Sequence, residues 1–548
     1  MRARRRPEAG LARLTAAVVE WPVMPSRLSQ LRRALRSPSI RLPTPTHIML
    51  LALAVGVAGG LGAVAFRMVI RLGQRLFWQT PLYSLDHVRS LPELWVLLAP
   101  AVGGLLVGLI VQRFATEARG HGVPEVLEAV TIRGGHIRPR LVIAKLAASG
   151  ICIASGGSVG REGPIVQIGS AIGSSLGQWL RLDERRLRTL VACGAAAGIA
   201  GTFNAPVAGA LFAVEIILGD FGVPHFSPIV ISSVVSTVIS HHFFGDQPAF
   251  AVPHYALVHP GELVAYAVLG VLAALVALLF IRSLYGCEDL FEALPLSSAA
   301  RAALGGLLVG ALALLLPEVL GVGYEAITLV LQDRMVWHVM LILVAVKILA
   351  VSLTLGSGGS GGIFAPSLFI GAMLGGGVGS AVHALWPAAT ATPGAYAMVG
   401  MGALVAAATH APLTAIVIIF ELTSDYAIIL PLMISCIIAT VLAAHLDKAS
   451  IYTMKLLRRG VDLQKGRGVN VLRHLRVRDL ARTEPVKVSA GAHLMELLSA
   501  IMDHPDSTLF VVDEDDRLRG VITTDDLRPV LGSENRLDHL VLAVDVMR

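Results

Sequence analysis

The chain has 548 residues, of which 55% are hydrophobic and only 15% charged, with a mean hydropathy of +0.70. Those values exclude a large soluble enzyme and indicate a polytopic membrane protein. The net charge of +7 does not call for nucleic acid: residues 1–41 hold ten arginines against Glu8 and Glu20, which ahead of an apolar body reads as a positive cytoplasmic flank.

That leader is too long for a cleaved secretory signal and lacks a small-residue cleavage site; an organelle transit peptide shares its Arg-rich, acid-poor composition. Apolar runs follow at 46–67 and 95–112. Between them and the next run stands Arg119-Gly120-His121-Gly122-Val123-Pro124-Glu125, a glycine-proline turn. Residues 141–155 lead into Gly156-Gly157-Ser158-Val159-Gly160-Arg161-Glu162-Gly163-Pro164, and apolar runs at 165–180, 188–217 and 226–243 continue the membrane body, broken at Asn204-Ala205-Pro206. A polar stretch over 245–260 separates the second half.

The Gly160–Pro164 stretch is the centre of the chain. An arginine and a glutamate are expensive at membrane depth and usually serve a pathway. Glycines let the backbone turn sharply, and Pro164 suits the first turn of the helix that follows. A helix N-terminus with free N–H groups attracts anions. The stretch therefore reads as an anion-binding turn whose own carboxylate, Glu162, competes for the site.

The second half repeats the first. Leu141-Val142, Lys145, Pro164 and Ile168-Gly169 recur as Leu343-Val344, Lys347, Pro366 and Ile370-Gly371 at one constant offset. Gly194, Ala205-Pro206 and Glu215 recur as Gly400, Ala411-Pro412 and Glu421 at a slightly larger one. Duplicated membrane halves place their site where broken helices meet, so Gly160–Pro164 is expected to face Gly361-Gly362-Ile363-Phe364-Ala365-Pro366. Lys145 and Lys347 raise the local positive potential and satisfy carbonyls in this reading; His410 reads as a helix-break residue.

The last apolar segment, 427–446, exits at His445-Leu446-Asp447-Lys448, and Tyr452 follows. From about Val471 the composition changes. A helix at Leu494–Met502, strands at Thr508–Asp513 and Leu518–Ile522, and a cap at Thr523–Asp526 predict a βαββα module. Val477–Arg482 is echoed by Ala543–Arg548, so the chain is expected to stop as a second copy begins. The domain boundaries are a basic segment 1–45, a membrane domain 46–447 with halves of about 46–245 and 260–447, a linker 448–470 and the module 471–548.

Four motifs, in order over most of 46–455, resemble those of the CLC family of chloride channels and chloride/proton antiporters, bacterial type: Gly120-His121-Gly122-Val123-Pro124, Gly160-Arg161-Glu162-Gly163-Pro164, Gly362-Ile363-Phe364-Ala365-Pro366, and Tyr452. The tail resembles a CBS domain. The resemblance implies an all-α membrane fold of two repeated halves of broken, tilted helices, plus the small cytoplasmic α/β module. It implies a homodimer in the bilayer, in a bacterial inner membrane with both termini cytoplasmic, and one pathway for chloride or other small anions in each subunit. Glu162 is then the gate. The anion is held at His121, Gly122, Arg161, Gly163, Ile363, Phe364 and Ala365, mainly by backbone N–H groups, with Tyr452 at the inner end. No cofactor or metal is implied. CBS modules often take an adenine nucleotide, but in a cleft formed between two copies, and one complete copy is present.

Two residues depart from the family pattern. His121 stands where a serine hydroxyl usually reaches the anion; either its imidazole takes that place or it points away and only the backbone acts. Ile216, next to Glu215, stands where the antiporters carry an inner glutamate, and it cannot carry a proton. Passive conduction is expected; the alternative is chloride/proton exchange through Glu162 and another internal proton path. An intramembrane enzyme built on Glu162 and His121 lacks a nucleophile, an HExxH or a GxSxG. The four scattered cysteines suggest no metal. A sensor acting through the tail alone leaves the membrane duplication without purpose.

Overall fold

The computed structural model describes residues 44–80, 84–246, 250, 252–253, 255–461, 485–504, 508–531 and 540–548. Residues 1–43 of the basic leader, 462–470 of the linker and 477–482 lie outside them. The chain divides into residues 1–463 and 464–548.

In the first unit the helices α1 (Thr44–Trp78), α2 (Leu85–Ser90), α3 (Glu93–Phe114), α4 (Val123–Thr131), α5 (Leu141–Ala154), α6 (Glu162–Trp179), α7 (Glu184–Phe203), α8 (Pro206–Phe212) and α9 (Val223–Phe244) make one half. The other half runs α10 (Glu262–Glu292), α11 (Ser298–Leu315), α12 (Tyr324–Leu331), α13 (Trp337–Gly356), α14 (Phe364–Leu385), α15 (Pro393–Thr409), α16 (Pro412–Thr423) and α17 (Ile429–Leu446), closed by α18 (Thr453–Arg458). Apart from α2, the order of long and short helices is the same twice. Among the described residues eight helices are long and apolar enough to cross a membrane; the shorter ones stop inside the protein, where broken helices are tolerated because other segments satisfy their ends.

The breaks are built identically. Helix α7 ends on Asn204 and α15 on His410, both left-handed at φ 61° and 57°, and Pro206 and Pro412 then start the next helix. The buried Lys145 Nζ donates to Ala118 O at 3.0 Å and Gly120 O at 2.7 Å; Lys347 Nζ donates to Val319 O at 2.9 Å and Gly321 O at 3.0 Å. Each lysine ties up the carbonyls of the turn leading into α4 or α12. Both lysines therefore satisfy carbonyls, as their matched positions suggested.

Close packing depends on missing side chains. A Cβ on Gly169 would lie 2.1 Å from Gly194 O, and one on Gly371 would lie 2.3 Å from Gly400 O. So α6 rests on α7, and α14 on α15, backbone against backbone. Along α9, the hydroxyls of Ser232, Ser236 and Ser240 donate to Cys193 O, Ala197 O and Gly201 O of α7, a polar seam one helical turn apart.

In the second unit, β1 (Lys487–Ser489), α19 (Leu494–Asp503), β2 (Leu509–Val512), β3 (Leu518–Ile522), α20 (Thr524–Leu531) and α21 (Ala543–Val546) follow the expected βαββα order. Strand β1 pairs parallel to β2, and β2 antiparallel to β3. Leu497, Leu509, Val511, Ile522 and Ala543 fill the core. The segment that echoes 477–482 joins this module's own sheet: Arg548 and Val521 exchange backbone hydrogen bonds of 3.0 Å.

Candidate anion site between the two halves

The two glycine bends meet. Gly160 N donates to Gly362 O at 2.7 Å and Gly362 N to Gly160 O at 2.6 Å, a two-bond bridge between the halves. Gly120 N donates to Gly359 O at 3.0 Å, and Gly361 N to Gly120 O at 3.3 Å. Three of the four motifs singled out in the sequence are thus tied together by main chain. The small residues are needed here: a Cβ on Gly163 would lie 2.1 Å from His121 O.

Glu162 opens α6 and is 1% exposed. Its Oε1 accepts from the Tyr324 hydroxyl at 3.1 Å, and its Oε2 accepts from Ala365 N at 3.4 Å. Ala365 lies in the first turn of α14, whose N-cap Ile363 supplies no side-chain cap. A carboxylate from one half therefore sits at the open N-terminus of a helix from the other, where partial positive charge favours an anion. Arg161, the N-cap of α6, holds its guanidinium 5.3 Å from the Tyr324 ring centroid and reaches Thr202 O at 3.4 Å. Phe364 is buried with its ring 5.8 Å from that of Phe203.

His121 is 3% exposed, and neither ring nitrogen has a hydrogen-bond partner among the described residues. Its ring centroid lies 5.7 Å from that of Tyr452. Gly122 is the left-handed N-cap of α4 at φ 87°. Tyr452, 2% exposed, is the N-cap of α18. Beyond this end lies a cavity of about 920 Å³ with Glu125, Arg119 and Lys455 in its wall. Its charges are cross-paired: Lys455 with Glu125 at 2.9 Å, Arg119 with Glu292 at 3.0 Å and Arg459 with Glu128 at 3.2 Å.

Ile216 is buried on a π-helical turn (Ala213–Leu218) that continues α8 and packs against α4. Its neighbour Glu215 accepts from Leu413 N at 3.2 Å, Thr414 N at 2.7 Å and the Thr414 hydroxyl at 2.6 Å. Glu421 reciprocates, accepting from Val207 N at 2.9 Å and Ala208 N at 2.7 Å. Both carboxylates are helix caps. Among the described residues no three His, Cys, Asp or Glu side chains gather as a metal would require.

Tyr324 was missed in the sequence. Gly321-Val322-Gly323-Tyr324 repeats Gly120-His121-Gly122-Val123, so carrying the duplication from Lys347 back to Gly321 would have found it.

Comparisons with known proteins agree with this arrangement. A family model described as voltage gated chloride channel matches residues 103–444, and a CBS domain model matches 477–533. The chain is 39% identical over 408 residues to a putative chloride channel protein ClcB-like of Ralstonia nicotianae, covering 74% of this chain and 95% of that one. It is 35% identical over 453 residues to the H(+)/Cl(-) exchange transporter ClcA of Cronobacter sakazakii, covering 79% and 94%. The solved structure of a slow cyanobacterial Cl-/H+ antiporter matches with a TM-score of 0.69 at 28% identity, over 75% of this chain and 97% of that one. With eight apolar spans and these relatives, the chain is an integral membrane protein of a family that moves anions rather than converting substrates. It belongs to the CLC family and carries a CBS domain towards its C-terminal end.

Proposed function

We propose that the protein carries chloride passively across a bacterial inner membrane, through a Glu162-gated pathway in each subunit of a homodimer with both termini in the cytoplasm. The observation that carries this reading is the place of the Glu162 carboxylate, held by Ala365 N–H and the Tyr324 hydroxyl at the open end of α14. A chloride entering from that side needs the same donors, so anion and carboxylate exclude one another. The path then runs past the amides of Arg161–Gly163 and Ile363–Ala365 to His121, Gly122 and Tyr452. Partial charges from helix ends attract an anion without trapping it.

Ile216 supports passive movement, because a proton relay through the protein needs titratable side chains. Glu215 does not replace the missing acid in this reading: three donors already occupy its carboxylate. Coupled exchange is the second reading. Its support is His121, whose unpartnered ring lies beside Tyr452, together with the exchange function named for the Cronobacter relative.

Simultaneous recording of chloride efflux and proton uptake in vesicles containing the purified protein separates the two. Chloride efflux without matching proton movement is expected. Proton uptake driven uphill at a fixed ratio to chloride establishes exchange instead.

A further inference from the structure

Next to the gate, a cavity of about 240 Å³ opens between α1, the turn before α12 and the bend before α6, with Arg67, Arg71, Arg161 and Tyr324 in its wall. At about 30 Å³ per water it has room for on the order of eight waters, far more than a bare halide fills. Among the described residues none of the three arginines has a carboxylate within ion-pair distance. Of the two acids in the wall, Glu325 accepts from Leu85 N at 2.8 Å, and Glu318 accepts from Arg89 at 2.6 Å through Oε1 while its buried Oε2 has no hydrogen-bond partner among the described residues. Arg67 and Arg71 lie 4.1 and 5.3 Å from the Phe244 ring centroid. That stacking orients their guanidinium planes without neutralising them. The left-handed N-cap Gly323 of α12 supplies no side-chain cap, so the partial positive charge of that helix end also faces the cavity, beside Glu325 of its first turn.

From this geometry we infer a second anion site, for a small oxyanion of the sulfate or phosphate type, that acts on the gate through Tyr324. Forked guanidinium donors match the paired oxygens of an oxyanion, which a spherical halide cannot supply. Tyr324 joins the two sites: its ring lies over Arg161 and its hydroxyl holds Glu162 Oε1. An oxyanion drawn to Arg161 takes that hydroxyl as a donor and loosens Glu162, so chloride enters more readily. This inference rests on Glu162 being the gate.

The test uses the full-length protein, with sodium sulfate as the probe at constant ionic strength. Thermal unfolding in detergent reads binding, and chloride flux from vesicles reads coupling. Sulfate is expected to raise the unfolding midpoint of the wild type and to increase its flux at subsaturating chloride. R67Q/R71Q is expected to lose both effects; Y324F is expected to keep the unfolding shift and lose the flux response. Equal sulfate shifts in the wild type and R67Q/R71Q overturn the site and reduce Arg67 and Arg71 to interfacial anchors. A flux response that survives in Y324F overturns the coupling. Should R67Q/R71Q elute as aggregate, R67K/R71K replaces it: a diminished shift supports the forked-donor argument, and an undiminished one overturns it. E162Q keeps the two readings apart. If its flux equals that of the wild type while sulfate still shifts unfolding, the gate fails and the site stands; an absent shift with a working gate is the reverse.

Discussion

Glu215 caps the broken helix of the opposite half through Thr414, with amide and hydroxyl both on Oε2 at 2.7 and 2.6 Å. Glu421 does the same for Ala208 at 2.7 Å. The halves thus hold each other's helix starts. Hydrogen bonds to a charged group contribute about 1.5–3 kcal/mol each, and orphaned amides add a further cost. Glu215→Ala and Glu421→Ala should each destabilise the protein by about 2–4 kcal/mol, visible as a lower thermal unfolding midpoint. Glu215→Gln, which keeps an acceptor, should cost less. If Glu215→Ala unfolds with the wild type, the cap is incidental.

Glu162→Gln keeps the size of the gate but removes its charge. Chloride flux should rise severalfold and lose its dependence on pH, because the side chain no longer competes as an anion for the end of α14. Stopped-flow chloride efflux between mildly acidic and neutral pH checks this. A variant with wild-type flux and wild-type pH response contradicts the assignment.

His121→Ser replaces an unpartnered ring with a hydroxyl. The permeability ratio of chloride to a larger anion such as nitrate should change, since the ring crowds the space beside Tyr452. Anion-substitution flux measures it. Unaltered ratios mean that the side chain points away from the path and that the backbone alone acts there.

Lys347→Met removes a buried ammonium that holds Val319 O and Gly321 O. Gly321 O then goes without a donor, at about 1–3 kcal/mol, while Val319 O keeps the Ser158 hydroxyl at 2.7 Å. The turn before α12 should loosen, and Tyr324 with it. Hydrogen exchange of peptides spanning residues 317–326 should speed up relative to the rest of the unit; unchanged exchange there counts against the lysine as the holder of that turn.

In the CBS module, Asp526 takes the Thr523 hydroxyl at 2.6 Å and amide at 2.9 Å at the start of α20, with Arg548 beside it. The Thr523 donors, helped by Arg548, hold its carboxyl below the usual carboxylate value. The stabilisation is therefore complete above an unfolded value of about 3.9 and is lost as pH falls through the lower folded value. Titration of the Asp526 carboxyl carbon by NMR should show a depressed midpoint in the wild type that moves up in Thr523→Val.

Much of the membrane fold was legible because Lys, Pro and Glu recur in step within apolar sequence, and ordinary hydrophobic drift does not preserve them. The glycine bends were legible for the same reason: few residues other than glycine fit where main chain touches main chain, as at Gly163 against His121 O. Arg67 and Arg71 were not. They sit in a helix that reads as a plain apolar span, and only its packing beside α9 and α6 brings them to Phe244 and Arg161. The role of Tyr324 was hidden likewise, because its partner Glu162 comes from the other half. The recurrence of Glu215 as Glu421 marks the two as a pair, but the sequence could not show that each glutamate caps the other's half.

The paired hydrogen bonds between Gly160 and Gly362 restrict how transport proceeds. Two protein halves stitched at the centre of the path cannot rock apart to expose it alternately to each side without tearing main-chain bonds. In the proposed reading, opening is left to rotation of side chains around a rigid seam, chiefly Glu162 and Tyr324. Such rotations are far quicker than the microsecond-to-millisecond swings of whole domains, so under the proposed gate turnover is expected to follow the exchange of one side chain for one ion rather than a reshaping of the molecule.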